Sequence, residues 1–304
     1  MSFVRWIVGP AVVALLLPAV ATGQTLVGRA DSIYTWRGAM RSGATLTVRN
    51  FNGPIDVRPA EGNAAEVRAE KRTRGGNIQD VAFDVETSSN GDVTLCSTYR
   101  DRDSCDNDRR HRSDWDDDDR HEVSVTMTVL VPRGTEVRVA TGNGAVSVQR
   151  VGGVVQASTG NGRVEVTGTE GAVRVSTGNG DVTVRDAKAA VHVTTGNGRV
   201  TVATTEGPVD ARTGNGDIDV RMTALRASDD MQFHTGSGEV RVTLPASYNG
   251  ELDASTGNGD VQSDFDLKVR GRLSPHRVRA TIGNGGPLLR LTSGNGRLEL
   301  RKEP

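Results

Sequence analysis

Ala172-Val173-Arg174-Val175-Ser176-Thr177-Gly178-Asn179-Gly180-Asp181-Val182-Thr183-Val184-Arg185-Asp186-Ala187-Lys188-Ala189 is one unit of a pattern that recurs along the chain. Val173 and Val175, then Val182 and Val184, alternate with polar or small residues, the period-2 signature of strands with one buried face. Between the two runs lies Thr-Gly-Asn-Gly, whose glycines and asparagine accept the positive φ values of a sharp corner. Arg185 to Lys188 supply a second corner, so one unit holds two strands and two corners.

The tetrapeptide starts at Thr141, Thr159, Thr177, Thr195 and Thr213, a constant spacing of 18 residues. Looser copies follow at Thr235-Gly236-Ser237-Gly238, Thr256-Gly257-Asn258-Gly259, Gly283-Asn284-Gly285 and Gly294-Asn295-Gly296, and Leu46 to Val57 reads as a degenerate early copy. A unit this short cannot bury its own apolar face and must stack on its neighbours. The pattern predicts an all-β chain: a β-solenoid, β-helix-like, with two facing parallel sheets, ~18-residue coils, regular repeats at 137–221 and irregular capping coils at both ends. The competing reading is a hairpin at each Asn-Gly. Residues Arg163, Asp181, Arg199 and Asp217, just after successive motifs, alternate in charge, which favours neighbouring coils ~4.8 Å apart over strands separated by an intervening one.

The remaining sequence bounds compartment and partners. Arg5, the apolar run from Ile7 to Val20 and the small residues Ala19-Val20-Ala21 read as a signal peptide, residues 1–23, cleaved after Ala21 or Gly23. The run is short for a membrane span, so the mature chain is expected to have none and to be exported to the periplasm or the extracellular space. Residues 24–300 read as a single β-strand-repeat domain. In an oxidising compartment Cys96 and Cys105, the two cysteines of the chain, are expected to pair, closing a short loop and contributing near the lower part of ~2–4 kcal/mol. A charged insertion is expected at 97–121, where Arg109-Arg110-His111-Arg112 precedes Asp114-Trp115-Asp116-Asp117-Asp118-Asp119; such mixed charge favours a solvated loop. A formal net charge of −1, from 37 basic and 38 acidic residues, argues against nucleic acid as a partner.

The sequence names no catalytic, cofactor-binding or metal-ligating residue. The five histidines are scattered, and His192 takes the outward position that Arg174 holds one unit earlier. Asp217 and Asp219 are the kind of pair a glycosidase uses, but acidic residues recur by the unit and do not gather in one cleft. The glycines precede strands, which excludes a dinucleotide loop. A calcium ladder needs a carboxylate after every motif, where Arg163 and Arg199 stand, and the charged insertion lacks EF-hand spacing. The threonine column forms one line at a corner and not the flat array an ice-binding face needs.

The Thr-Gly-Asn-Gly copies, the segment Val131-Pro132-Arg133-Gly134-Thr135-Glu136-Val137 before them and the closing Gly283-Asn284-Gly285-Gly286-Pro287-Leu288 together resemble the bacterial putative adhesin family, a domain of unknown function made of β-strand repeats. The resemblance spans about residues 45 to 300. It implies a secreted or envelope β-solenoid and carries no catalytic residues. The function expected is therefore non-enzymatic binding, adhesion or structural support at the cell envelope or outside the cell. Its partner is an unknown polymeric or surface-bound ligand, polysaccharide or protein, met by the repeat-corner residues Asn143, Asn161, Asn179, Asn197 and Asn215. The alternative is a carbohydrate-active enzyme, a polysaccharide lyase or hydrolase, on a β-helix.

Overall fold

The computed structural model describes residues 26–99, 123–204, 206–225, 229–271 and 274–303. The expected signal segment, Cys105 and most of the charged insertion lie outside the described residues.

The described residues form two sheets, of fourteen and twelve strands. Each unit contributes one strand to each sheet, as Val173–Asn179 in the larger and Val182–Ala187 in the smaller. The two strands beside a Thr-Gly-Asn-Gly corner therefore belong to different sheets, which removes the hairpin reading. Neighbouring units run parallel in constant register: Val173 faces Val191, Val175 faces Val193, Thr177 faces Thr195, and in the other sheet Val182 faces Val200. The alternating valines point between the sheets; Val173, Val175, Val182, Val184, Val191, Val193, Val200 and Val202 are all buried. β-branched side chains suit this pleated interior, and each buried valine contributes roughly 1.5–3 kcal/mol.

Stacking, as well as turning, fixes the corner sequence. Each motif threonine is buried and donates to the carbonyl of the preceding coil's second motif glycine: Thr177 Oγ1 to Gly162 O at 3.2 Å, Thr195 Oγ1 to Gly180 O at 3.2 Å, Thr213 Oγ1 to Gly198 O at 3.1 Å. A Cβ on Gly178 would lie 2.6 Å from Gly160 O, and one on Gly180, at φ 151°, would overlap Gly162 O. Only glycine lets the corners approach so closely.

The ends depart from the regular stack, as capping requires, and add antiparallel strands. Ala64–Thr73 and Ile33–Ala39 extend the smaller sheet at the amino-terminal end; Val81–Thr87 and Leu26–Val27 extend the larger. Lys71 holds this cap together. Its buried ammonium donates to Gly28 O and Val81 O, each at 2.6 Å, and stands 5.5 Å above the Phe83 ring. At the other end Arg277–Ile282 and Leu267–Val269 pair antiparallel onto the larger sheet.

Spatial order also differs from chain order at both ends. The early copy, Thr45–Asn52 with Ile55–Pro59, lies between the 136–149 coil and an outer coil made of Val93–Tyr99 and Val123–Val131. Residues 100–122 link the two halves of that outer coil, where other coils have their four-residue corner. At the far end Leu288–Asn295 with Leu298–Lys302 lies between the 231–244 coil and the 250–263 coil that precedes it in sequence. One boundary needs correction: the charged insertion, expected from 97, starts after Tyr99. Ser97, Thr98 and Tyr99 are buried strand residues, and the hydroxyls of the first two are satisfied by Asn50 Oδ1 at 2.9 Å and Ala82 O at 3.3 Å.

Candidate functional site

The five corner asparagines form one column, because Asn143, Asn161, Asn179, Asn197 and Asn215 occupy the same register position in successive strands; Asn143 is half-buried and the other four are exposed. They also bond to one another. Each Nδ2 donates to the Oδ1 of the preceding coil: Asn161 to Asn143, Asn179 to Asn161, Asn197 to Asn179 and Asn215 to Asn197, every bond 2.8 Å long. The ladder resumes where Asn258 donates to Asn295 at 2.7 Å. An amide has two N–H groups and two lone pairs, so an asparagine inside the ladder keeps one of each for an outside partner.

Beside this column runs the charged one. Arg199 reaches Asp217 at 3.4 Å, while Asp181 and Asp217 accept the backbone N–H of Arg199 and Glu239 at 2.9 and 3.0 Å. The charge alternation therefore links neighbouring coils. The alternation breaks at the next coil, where Glu239 follows Asp217, and then resumes in spatial order, not chain order, with Arg297 and Asp260, Arg297 Nε lying 3.1 Å from Asp260 Oδ1.

The densest charge cluster sits on the outward face of the smaller sheet, and single-sequence reasoning missed it because the intercalated coil assembles it. Glu299, on that coil, is buried and receives Arg301 at 2.7 Å and Arg241 at 2.8 Å, with Arg297 at 3.6 Å. Arg241 also meets Glu239 at 2.9 Å and Asp219 at 3.9 Å. Burial opposes a charge on Glu299, but hydrogen bonding to Arg241 and Glu239, helped by Arg301, outweighs it and holds the carboxyl at about 2. Glu239 is displaced the other way, chiefly by burial. Arg199, Thr201, Asp217, Asp219 and Arg241 border a shallow, open depression beside this cluster.

The other residues singled out in the sequence are dispersed. His192 is 3.9 Å from Asp210, His234 is exposed, and His276 Nδ1 lies 2.7 Å from Gly259 O; His111 and His121 lie outside the described residues. Cys96 is buried on Val93–Tyr99, and its expected partner Cys105 lies outside the described residues. Among the described residues no group of three or more His, Cys, Asp or Glu is placed to hold a metal ion, and no helix is long and apolar enough to cross a membrane.

No curated protein matches the sequence. Among solved structures, a putative cell adhesion protein from Clostridium sporogenes ATCC 15579 is 12% identical, with 89% of this chain and 100% of that chain covered and a TM-score of 0.29. A putative adhesin from Bacteroides fragilis NCTC 9343 is also 12% identical, covering 89% of this chain and 97% of that one at a TM-score of 0.38. Likeness at that level carries no weight for function. The Toastrack DUF4097 family model, by contrast, matches residues 54–301, from the second strand of the early copy to the intercalated coil. This chain belongs to the Toastrack DUF4097 family.

Proposed function

We propose that the protein is exported, carries a Cys96–Cys105 disulfide, and acts without catalysis by binding a polymeric or surface-bound partner at the cell envelope or outside the cell. One observation carries this reading: five coils in register present the same asparagine column, exposed from Asn161 to Asn215, each interior member keeping a free donor and acceptor. A contact made at one corner is available at the next. Linked weak contacts raise avidity by roughly 10²–10⁴ when they engage together, which suits a polymer or a surface better than a small molecule.

The carbohydrate-active alternative asks for two carboxyl groups about 5–9.5 Å apart flanking a sugar. Glu239 and Glu299, the carboxyl pair with opposite displacements, both bind the Arg241 guanidinium, at 2.9 and 2.8 Å, and this side chain occupies the place a glycosidic bond would need between them. The test is to probe the purified mature protein with envelope polysaccharides and matrix proteins, alongside variants at Asn161, Asn179, Asn197 and Asn215. Binding that weakens modestly in single variants and strongly in the combined one, by more than the loss of folding explains, supports the reading. Turnover of a polysaccharide that one substitution abolishes, with folding intact, overturns it.

A further inference from the structure

The outward faces of the two sheets are chemically unequal. On the smaller sheet arginine is matched to carboxylate: Arg185 with Glu165 at 3.0 Å, Arg241 and Arg301 with Glu299, and Arg221 with Glu303. The larger sheet pairs Arg270 with Glu251 at 3.0 Å and Arg279 with Asp253 at 3.4 Å near its carboxyl-terminal edge, but its middle strands differ. Its strands Glu136–Asn143, Val155–Asn161, Val173–Asn179 and Val191–Asn197 turn Arg138, Gln156, Arg174 and His192 outward in one row. Among the described residues neither Arg138 nor Arg174 has a carboxylate within ion-pair distance.

The nearby acids are otherwise engaged or stand aside. Asp92, the acid whose field Arg138 feels, accepts from Thr45 N and Asn90 Nδ2, each at 2.7 Å. Asp210 accepts Gln232 N at 2.9 Å and faces His192. Glu136 stands at the start of its strand, at the margin of the face. Arg138 and Arg174 are two strands apart, roughly 10 Å at the usual strand spacing. Gln156 stands between them, and in the next row the small side chains Ala140, Ser158 and Ser176 leave a shallow trough of about 290 Å³ that spans four coils, with Thr47 and Arg49 at its amino-terminal end.

We propose that this trough binds an acidic polysaccharide, a sugar chain bearing carboxylate or sulfate groups, with Arg138 and Arg174 each holding one anionic group and Gln156, Ser158 and Ser176 meeting the hydroxyls between. This deepens the binding reading above and rests on it. Two exposed guanidiniums without internal partners recognise anions at little desolvation cost and in bidentate geometry. A polysaccharide fits better than nucleic acid because the net charge of −1 gives no broad attraction to phosphate, and the trough lining holds no aromatic ring on which a base would stack.

The experiment measures affinity of the mature protein for alginate (carboxylate), heparin (sulfate), dextran (neutral) and single-stranded oligothymidylate. Wild type, Arg138→Gln/Arg174→Gln, and a control double variant of paired arginines on the other sheet, Arg58→Gln/Arg185→Gln, are compared. The proposal expects binding to alginate or heparin that falls as salt rises from about 0.05 to 0.3 M. It expects that binding to drop about tenfold or more in Arg138→Gln/Arg174→Gln, with an unchanged melting temperature and little loss in the control. Equal affinity of wild type and Arg138→Gln/Arg174→Gln, or tighter binding of oligothymidylate than of either acidic polysaccharide, overturns it. Binding to dextran that ignores the arginines but falls with the corner asparagines overturns the acidic assignment and leaves the repeated-contact reading standing. No binding to any of the polymers or to matrix proteins by folded protein overturns both.

Discussion

The asparagine ladder makes a prediction whose size depends on position. Asn161, Asn179 and Asn197 each take part in two ladder bonds, whereas Asn143 and Asn215, at its ends, take part in one. At this exposure each bond is worth about 0.5–1 kcal/mol, because water replaces it when it breaks. Asn179→Ala should therefore cost about 1–2 kcal/mol and Asn143→Ala about half of that. The corner backbone is the same at both positions, so any intrinsic cost of alanine there cancels in the comparison. Changing Asn161, Asn179, Asn197 and Asn215 together removes the four bonds, whereas adding up the single variants counts seven (two each for the first three, one for the last). The combined variant should thus lose about 2–4 kcal/mol, short of the ~3.5–7 kcal/mol obtained by addition. Urea unfolding followed by far-ultraviolet circular dichroism, with the denaturant slope checked for constancy, measures both comparisons. Equal costs at Asn143 and Asn179, or a combined loss equal to the sum of the singles, would refute the ladder.

Other perturbations test the core, the corner and the charge cluster. Val175→Asp places an unpaired carboxylate between the sheets and should unfold several coils together, while Arg174→Ala on the exposed face should shift the melting temperature little; comparable small effects in calorimetry would contradict the two-sheet core. Gly180→Ala drives a methyl into Gly162 O at φ 151° and should cost at least ~1–3 kcal/mol. Gly62→Ala, where nothing lies within 4 Å, should be neutral or stabilising, and a matching loss at both glycines in denaturant titration would rule out the stacking requirement. Glu299 has a lowered folded-state pKa, so its stabilisation is fully present above the ordinary 4.5 and is lost as pH falls toward about 2, where the unfolded chain takes up a proton and the folded one resists it. Glu299→Gln should destabilise the protein at neutral pH, with the gap to wild type narrowing below pH 4.5; a gap constant down to pH 2.5 would remove Glu299 from the acid response.

Local features were legible in the sequence because they follow from period and turn chemistry. The alternating valines named the buried faces, Thr-Gly-Asn-Gly named the corner, and Leu46 to Val57 was readable as an early coil despite Asn50 standing where later coils have threonine. Asn50 Nδ2 bonds Gly53 O and Val125 O and so takes over the threonine's role. The order of coils in space was not legible. Thr256-Gly257-Asn258-Gly259 and Ser293-Gly294-Asn295-Gly296 match the edge of the 231–244 coil equally well by motif, so spacing alone cannot say which stacks on it. The Glu299 cluster was hidden for the same reason. Ser97, Thr98 and Tyr99 looked like the start of a polar loop because their partners, Asn50 and Ala82, are remote in sequence. The corner asparagines were read as a surface for others, and nothing in a single unit reveals that they first satisfy one another.

The intercalated coils change how such a stack comes apart under load. A simple solenoid frays from its ends, each terminal coil peeling from one neighbour. Here a pull on the carboxyl-terminal strand Leu298–Lys302 acts on a coil clamped on both sides, by 231–244 and by 250–263, and a pull near the amino-terminal cap meets the same arrangement around Thr45–Asn52. At the amino-terminal end the edge strands Leu26–Val27 and Ile33–Ala39, each held on one side, peel first; beyond them, as at the carboxyl-terminal strand, tension must shear two interfaces at once before the coil is released. The two tails therefore act as buckles on a strap, and the repeats between them bear force as a block.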